Sequence, residues 1–252
     1  MKLLFVSIAT LLLMPSAISQ EIQLFVHRGA KGLAPENTVL SVQKALAFGV
    51  DGIEIDVFRC LSGEIVVFHD KTLHKLTNAS GEIEKKTLAE LHTLKVMGSE
   101  PIPTLDKIID AINGSARLNI ELKGKNTAKG VLDIIKKAIE EGHWEANQLF
   151  VSSFDWDELR AFNKLTKEFG IAVLTEKNPV EAIPVARELN AFAINPNHSN
   201  LTQEIIKYIH SEGFEIHTWT VNEKNRIEEL ISWGVDAIIT DFPDRIKRKG
   251  KP

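Results

Sequence analysis

The 252-residue sequence predicts an α/β fold of the TIM type: a parallel (β/α)8 barrel with a β-hairpin and helical excursion after its second strand. Three observations predict it. Short β-branched and aromatic runs alternate with amphipathic stretches along the chain. Four helical stretches run into a glycine near the following strand (Gly49, Gly170, Gly213 and Gly234), as helix C-termini prefer. Two strand candidates are separated only by residues 59–63, too few for a parallel crossover but suited to a hairpin. Alternation alone also fits a doubly wound sheet. No Gly-x-Gly-x-x-Gly follows a strand, however, and no Gly-x-x-x-x-Gly-Lys-Ser/Thr occurs, so dinucleotide and P-loop readings lose their main support.

In chain order, Met1-Lys2 is a short basic start, Leu3 to Met14 is an apolar run broken by Pro15, and Ala17 and Ser19 precede Gln20 at small-residue positions. This pattern describes a secretory signal peptide over residues 1–19. The apolar run is too short to cross a bilayer, which takes about 20 residues, so no membrane anchor is expected after cleavage. Residues 20–252 are expected to form one exported domain, periplasmic or secreted.

Strands are predicted at residues 24–27, 52–58, 64–69, 118–122, 148–153, 171–175, 191–195, 214–219 and 237–240. Helices are predicted between most of them, at residues 38–48, 127–141, 156–169, 180–189, 201–212 and 223–233. The third strand candidate is read as an antiparallel return of the second, which leaves eight parallel strands. A turn centred near residues 61 and 62 would place Glu54 opposite His69 and Asp56 opposite Val67. Residues 70–117 form the excursion, with helical stretches at 87–94 and 104–112.

Composition narrows the function. Hydrophobic residues make up 44% of the chain, which excludes disorder as the main state. With 30 basic and 34 acidic residues, net charge −4, the surface offers no general attraction to nucleic acid or an anionic membrane. Any phosphate must be held by a local site. Cys60 is the single cysteine, so no internal disulfide forms. It falls in the predicted turn with no base beside it, which argues against a catalytic thiol.

In such a barrel the active site lies at the carboxyl ends of the strands. Those ends carry His27-Arg28, Glu54 and Asp56, His69-Asp70, Glu121 and Lys123, Ser152-Ser153, Asn195, Trp219 and Asp241. Glu54 and Asp56 stand two apart on a strand and face the same way, as do Glu121 and Lys123. Ionised acids gathered in a barrel mouth repel one another unless a cation lies between them, and an all-oxygen set suits Mg²⁺ or Ca²⁺ rather than Zn²⁺. A plain salt-bridge cluster with Lys123 or Arg28 is the competing reading. Two histidines can give and take protons in one transition state. Arg28 can hold phosphate bidentately, and Lys123 adds a point charge. His217, deeper on the face that carries Trp219, reads as a packing residue, and Trp219 either stacks on a substrate or packs in the core.

The strings His27-Arg28-Gly29 and Pro35-Glu36-Asn37-Thr38 resemble the opening signature of the glycerophosphodiester phosphodiesterases. Gly52-Ile53-Glu54-Ile55-Asp56-Val57, Val66-Val67-Phe68-His69-Asp70, Glu121-Leu122-Lys123, Ser153-Phe154, Trp219-Thr220-Val221-Asn222 and Thr240-Asp241-Phe242-Pro243 continue the resemblance in order. It spans nearly all of the mature chain. The resemblance implies a TIM-type barrel that hydrolyses small-molecule glycerophosphodiesters to glycerol 3-phosphate and an alcohol such as choline or ethanolamine. It implies His27 and His69 as the general acid/base pair, and Glu54, Asp56 and Glu121 as ligands of one divalent cation, Mg²⁺ or Ca²⁺. Arg28, Lys123, Trp219 and Asn37 are implied on the substrate-binding side, the first two on phosphate and Trp219 on the glycerol. The nucleophile is water or the substrate's own glycerol 2-hydroxyl. One departure is the hairpin turn, Cys60-Leu61-Ser62-Gly63, where the family reads like Thr-x-Asp-Gly. The short excursion also leaves little material for a large lid, as in compact bacterial-type members.

Three other functions compete. A phospholipid- or lysophospholipid-acting phosphodiesterase on the same barrel would want an exposed apolar rim, and no such run stands in the loops. A non-catalytic phosphodiester-binding module would not need both histidines and the acidic trio. A sugar-processing barrel would need a carboxylate separation that an i, i+2 pair does not set.

Overall fold

A computed structural model describes residues 22–246. The expected leader, residues 1–19, lies outside them. Eight parallel strands close into a barrel: β1 (Gln23–Val26), β2 (Gly52–Arg59), β6 (Arg117–Leu122), β7 (Leu149–Ser153), β8 (Gly170–Thr175), β9 (Ala193–Pro196), β10 (Glu215–Thr218) and β11 (Ala237–Thr240). Closure comes from β1, which pairs in parallel with both β2 and β11. Helices α1 (Val39–Ala47), α3 (Leu105–Ile112), α4 (Ala128–Glu140), α5 (Trp156–Leu165), α6 (Ile183–Leu189), α7 (Gln203–Ser211) and α8 (Lys224–Trp233) connect the strands. The main core lies between the barrel and these helices.

The hairpin is present, with a register one residue away from expectation. β3 (Ile65–Val67) pairs antiparallel with β2 as Val57↔Val67, Phe58↔Val66 and Arg59↔Ile65. Asp56 therefore meets Phe68, whose N–H donates to the Asp56 carbonyl at 3.0 Å. The turn explains the shift. Cys60 and Glu64 still bond at 2.9 Å, Gly63 N–H closes on the Cys60 carbonyl at 3.0 Å, and Gly63 takes φ +108°. Three residues thus form the loop where the expectation centred it on two, and a one-residue change in loop length moves the register by one.

After β3 the excursion builds its own small core from Phe58, Val66, Phe68, Leu73, Ile83, Leu91, Val96 and Ile102. It holds α2 (Leu88–Leu91), shorter than its predicted stretch, and a small hairpin of two-residue strands, β4 (Lys95–Val96) and β5 (Glu100–Pro101). α3 belongs instead to the barrel's outer layer, between α1 and α4. Two predicted helices are also trimmed. α5 stops at Leu165, because Thr166 is already extended (φ −155°), and Gly170 opens β8 where it was expected to end a helix. The stretch expected at 180–189 splits into a 3-10 turn, Pro179–Ala182, and α6. Pro184 in its first turn has no N–H to continue the earlier turn. Gly49, Gly213 and Gly234 do take positive φ where α1, α7 and α8 end.

Inside the barrel, Phe25, Phe150, Ala172, Ala193, Ala237 and Ile239 form a separate apolar cluster. Gly52 is required there, because a Cβ would stand 2.1 Å from the Phe25 ring. The amino-terminal end is stoppered by Arg117, whose guanidinium lies 5.1–5.7 Å from the rings of Phe150, Phe192 and Phe25. His217 is buried among the same rings and bonds Glu215 at 3.0 Å, a packing position far from chemistry.

Candidate active site

The carboxyl ends of the strands surround a cavity of about 220 Å³ lined by His27, Arg28, Glu54, His69, Asn119, Glu121, Lys123, Ser152, Phe154, Leu174, Glu176, Trp219, Thr220 and Ile239. Six of the nine residues expected at the site thus reach one cavity through charged or imidazole groups, and Trp219 reaches it through its ring. Asp56 and Asn37 sit just behind that surface, 0% and 1% exposed.

β2 and β6 supply the acids. Their parallel register sets Glu54 beside Asn119 and Asp56 beside Glu121. One oxygen from each of Glu54, Asp56 and Glu121 lies within 4.8 Å of the others. Burial, followed by the charges of Asp56 and Glu121, pushes Glu54 well above the usual carboxylate range. Burial and the Asp56 charge push Glu121 up to about 8. Asp56 goes the other way: burial opposes its charge, but Arg28, His69 and Lys123 together hold its carboxyl low. Glu54 Oε1 and Asp56 Oδ1 are buried without hydrogen-bond partners. Two buried oxygens without hydrogen-bond partners, grouped with a third carboxylate, fit a hard divalent cation, which would satisfy them and remove the repulsion.

Each histidine is held by an acid on the far side of its ring. His27 Nδ1–H donates to Asp241 Oδ1 at 2.7 Å, and His69 Nδ1–H donates to Asp70 Oδ1 at 2.6 Å. Both rings therefore turn Nε2 inward: His27 Nε2 lies 4.0 Å from Glu54, and His69 Nε2 accepts from Lys123 Nζ at 3.1 Å. Burial is the largest influence on both and lowers their pKa, so neutral imidazoles are favoured at rest. Asp241 is itself braced by Asn222 Nδ2 at 2.8 Å. These acids stood at strand ends in the sequence without a role. The adjacency of Asp70 to His69 was the one available signal; Asp241 lies 214 residues from His27 and meets it only because β1 pairs with β11.

The cations occupy the same wall. Lys123 Nζ lies 3.1 Å from Glu121 and 3.7 Å from Asp56, and 5.9 Å from the Phe154 ring centroid. Arg28 Nη1 donates to Glu36 Oε1 at 2.7 Å and its Nε stands 3.3 Å from Asp56. Arg28 also adopts φ +52° and Asn37 φ +57°. Such left-handed non-glycine backbones cost about 1–3 kcal/mol each and cluster at functional sites. Local bonds hold them. Arg28 N–H donates to Glu54 Oε2 at 2.9 Å, and Asn37 N–H donates to the Arg28 carbonyl at 2.9 Å. Thr38 and Ser41 cap α1 reciprocally, and Ser41 Oγ donates to the Arg28 carbonyl at 3.1 Å. Gly29 lies against Ser41, where a Cβ would come within 2.3 Å, and takes φ +72°. Asn37 turns its side chain onto Asp56, donating to Oδ2 at 2.8 Å and accepting from its N–H at 3.2 Å. Its contacts are with a candidate cation ligand rather than with the cavity.

Trp219 and Phe154 form an aromatic wall next to Lys123, edge to face at 5.3 Å. Trp219 Nε1–H donates to the Asn195 carbonyl at 2.8 Å, which fixes the indole plane. Ser153, bonded to the Leu122 carbonyl at 2.6 Å, holds the bend that presents Phe154.

Comparison with known proteins agrees with this geometry. Residues 27–245 match the Glycerophosphoryl diester phosphodiesterase family. A glycerophosphodiester phosphodiesterase of Caldanaerobacter subterraneus subsp. tengcongensis is 34% identical over 236 residues, covering 89% of this chain and 97% of the relative. One from Bacillus altitudinis is 34% identical over 235 residues, covering 88% and 96%. Among solved structures, a phosphodiesterase from Oleispira antarctica in complex with the product sn-glycerol-3-phosphate superposes with a TM-score of 0.80 at 28% identity, covering 88% of this chain and 93% of that one. With its barrel, its strand-end cavity and these relatives in agreement, the chain belongs to the glycerophosphoryl diester phosphodiesterase family, a family of phosphoric diester hydrolases.

Proposed function

We propose that this chain hydrolyses glycerophosphodiesters to glycerol 3-phosphate and an alcohol, with His27 and His69 as the acid/base pair and one divalent cation on Glu54, Asp56 and Glu121. The observation that carries the reading is the pairing of two aspartate-held imidazoles with a buried acidic trio in a single cavity. The Oleispira antarctica neighbour, solved with sn-glycerol-3-phosphate, supports the substrate class.

Arg28 and Lys123 set positive charge on the cavity side of the trio, where a phosphodiester's non-bridging oxygens are held and oriented. With Nδ1 committed to its aspartate, each histidine keeps Nε2 for proton transfer. One Nε2 takes the proton from the nucleophile, and the other, protonated, gives it to the leaving alkoxide. The cation, Mg²⁺ or Ca²⁺, neutralises developing charge on the phosphoryl oxygens when bound. Asn37 keeps Asp56 in place through its two hydrogen bonds. Trp219 and Phe154 provide an apolar wall for the carbon skeleton of the substrate. Export to the periplasm or outside the cell is part of the same proposal, supported by the signal-peptide pattern of residues 1–19.

The test is glycerol 3-phosphate release from glycerophosphocholine, measured with EDTA and then with Mg²⁺ or Ca²⁺ restored. Release that EDTA abolishes and one of the two ions restores is the expected result. No release under any metal condition, or full release in EDTA, overturns the proposal.

A further inference from the structure

Beside the acidic trio, β6 and β7 carry neutral polar side chains inside the barrel that neither cation binding nor proton transfer uses. Asn119 precedes Glu121 by two residues on β6, so it shares the inward face about 6.7 Å deeper. Ser152 is the register partner of Glu121 on β7 and faces the same way. Both line the cavity, yet they are 1% and 0% exposed. Asn119 Oδ1 and Ser152 Oγ each lack a hydrogen-bond partner. Across the barrel, Asn195 is the register partner of the cavity-lining Leu174, and both atoms of its carboxamide are buried and unpaired. Buried polar atoms without partners cost about 1–3 kcal/mol each, so a floor of this kind is unfavourable unless a ligand or water completes it. The neighbouring interior positions Ala172 and Ile239 show that apolar side chains fit at this depth.

The chemistry of the floor selects its ligand. Asn119 and Ser152 are neutral, and each has an acid as its register partner, Glu54 beside Asn119 and Glu121 beside Ser152, so an anion is repelled there. A carbonyl acceptor beside a hydroxyl that donates or accepts suits another hydroxyl, which can donate to Asn119 Oδ1 and accept from Ser152 Oγ. In a glycerophosphodiester whose phosphate lies at Arg28 and Lys123, the 2-hydroxyl is next to the phosphorus-bearing carbon. The terminal hydroxyl is the group with the further reach. We infer that the Asn119–Ser152 floor of the cavity binds the terminal hydroxyl of the substrate's glycerol unit and makes the enzyme select for it. The inference rests on the proposed glycerophosphodiesterase activity and adds the residues that read the polyol. Both atoms are buried, and at a buried site an unmatched hydrogen bond discriminates strongly.

The test compares the full chain, with its activating metal, on two substrates: glycerophosphocholine, and the propane-1,2-diol analogue that keeps the 2-hydroxyl but carries hydrogen in place of the terminal one. Wild-type kcat/KM is expected to favour glycerophosphocholine by roughly 10–100-fold, the range of one lost buried hydrogen bond. Ser152→Ala and Asn119→Leu are each expected to bring that ratio to within about threefold, through loss on glycerophosphocholine. Circular dichroism and thermal melting of both variants report folding. Ser152→Ala removes an unpaired buried hydroxyl without enlarging any side chain and carries the test if Asn119→Leu fails to fold. Equal wild-type cleavage of the two substrates overturns the inference. So do variants that keep the wild-type ratio, including the case where both substrates slow together because the floor holds only water. A wild-type enzyme inactive on glycerophosphocholine in every metal is a separate result, which overturns the underlying activity.

Discussion

Metal-free protein should lose stability as pH rises from 6.5 to 8, and the loss should trace to Glu121. Its carboxyl titrates near 8 in the fold because of burial and the adjacent Asp56 charge. In the unfolded chain a glutamate titrates at about 4.3. Between those values the native state holds a proton that the unfolded state has released, so stability falls with increasing pH and levels off above the folded value. The buried histidines act in the opposite direction, because burial lowers His27 and His69. Their contribution to the pH dependence fades within about one pH unit above their unfolded value of about 6.5. The upper part of the window from pH 6.5 to 8 therefore reports the carboxylates. At about 1.4 kcal/mol per pH unit, the loss across it is about 2 kcal/mol. For a domain of this size that corresponds to roughly 4–8 °C in Tm. Differential scanning calorimetry in EDTA at pH 6.5, 7, 7.5 and 8 measures it. Glu121→Gln should at least halve the slope, and saturating Ca²⁺ or Mg²⁺ should flatten it in the wild type by replacing the proton with a cation. A metal-free Tm that holds steady or rises over this window, or an unchanged slope in Glu121→Gln, would refute the reasoning.

Further predictions concern the positioning of the site. His27→Ala and His69→Ala should each lower kcat by about 10²–10⁴-fold in a steady-state assay with metal present; near-normal rates in both would remove the acid/base assignment. Asp241→Asn leaves His27 in place but frees the choice of which ring nitrogen is protonated, so kcat should fall by about 10–100-fold while KM stays within a few fold. Gly52→Ala puts a methyl against the Phe25 ring and should cost about 1–3 kcal/mol in urea unfolding, with the m-value unchanged.

The parts of this site legible in the sequence are those that local rules place. Glu54 and Asp56 share a face because a strand has period two, and His27 and Glu121 stand where strands end. The closed barrel followed from alternation and from one gap too short for a crossover. Features set by single backbone torsions were not legible. The hairpin register turned on whether Gly63 enters the loop, and β3 ends at Val67, so no pleat alternation carries through to His69. Arg28 and Asn37 are left-handed without a glycine to mark them, and Asn113 and Asn190 likewise end α3 and α6. Long-range partners were hidden for a different reason. Asp241 reaches His27, and Asn37 reaches Asp56, only after strand pairing and the α1 cap are complete.

The proposed activity is cleavage, in this cavity, of the phosphodiester of a glycerophosphodiester, leaving the phosphate on glycerol. Phosphorus-31 NMR of glycerophosphocholine turned over by the full chain, with Mg²⁺ or Ca²⁺ present, tests it most directly. The diester resonance is expected to be replaced by that of glycerol 3-phosphate, and EDTA to prevent the change. A persistent diester resonance in every metal, or the appearance of phosphocholine as the phosphorus-containing product, would contradict it.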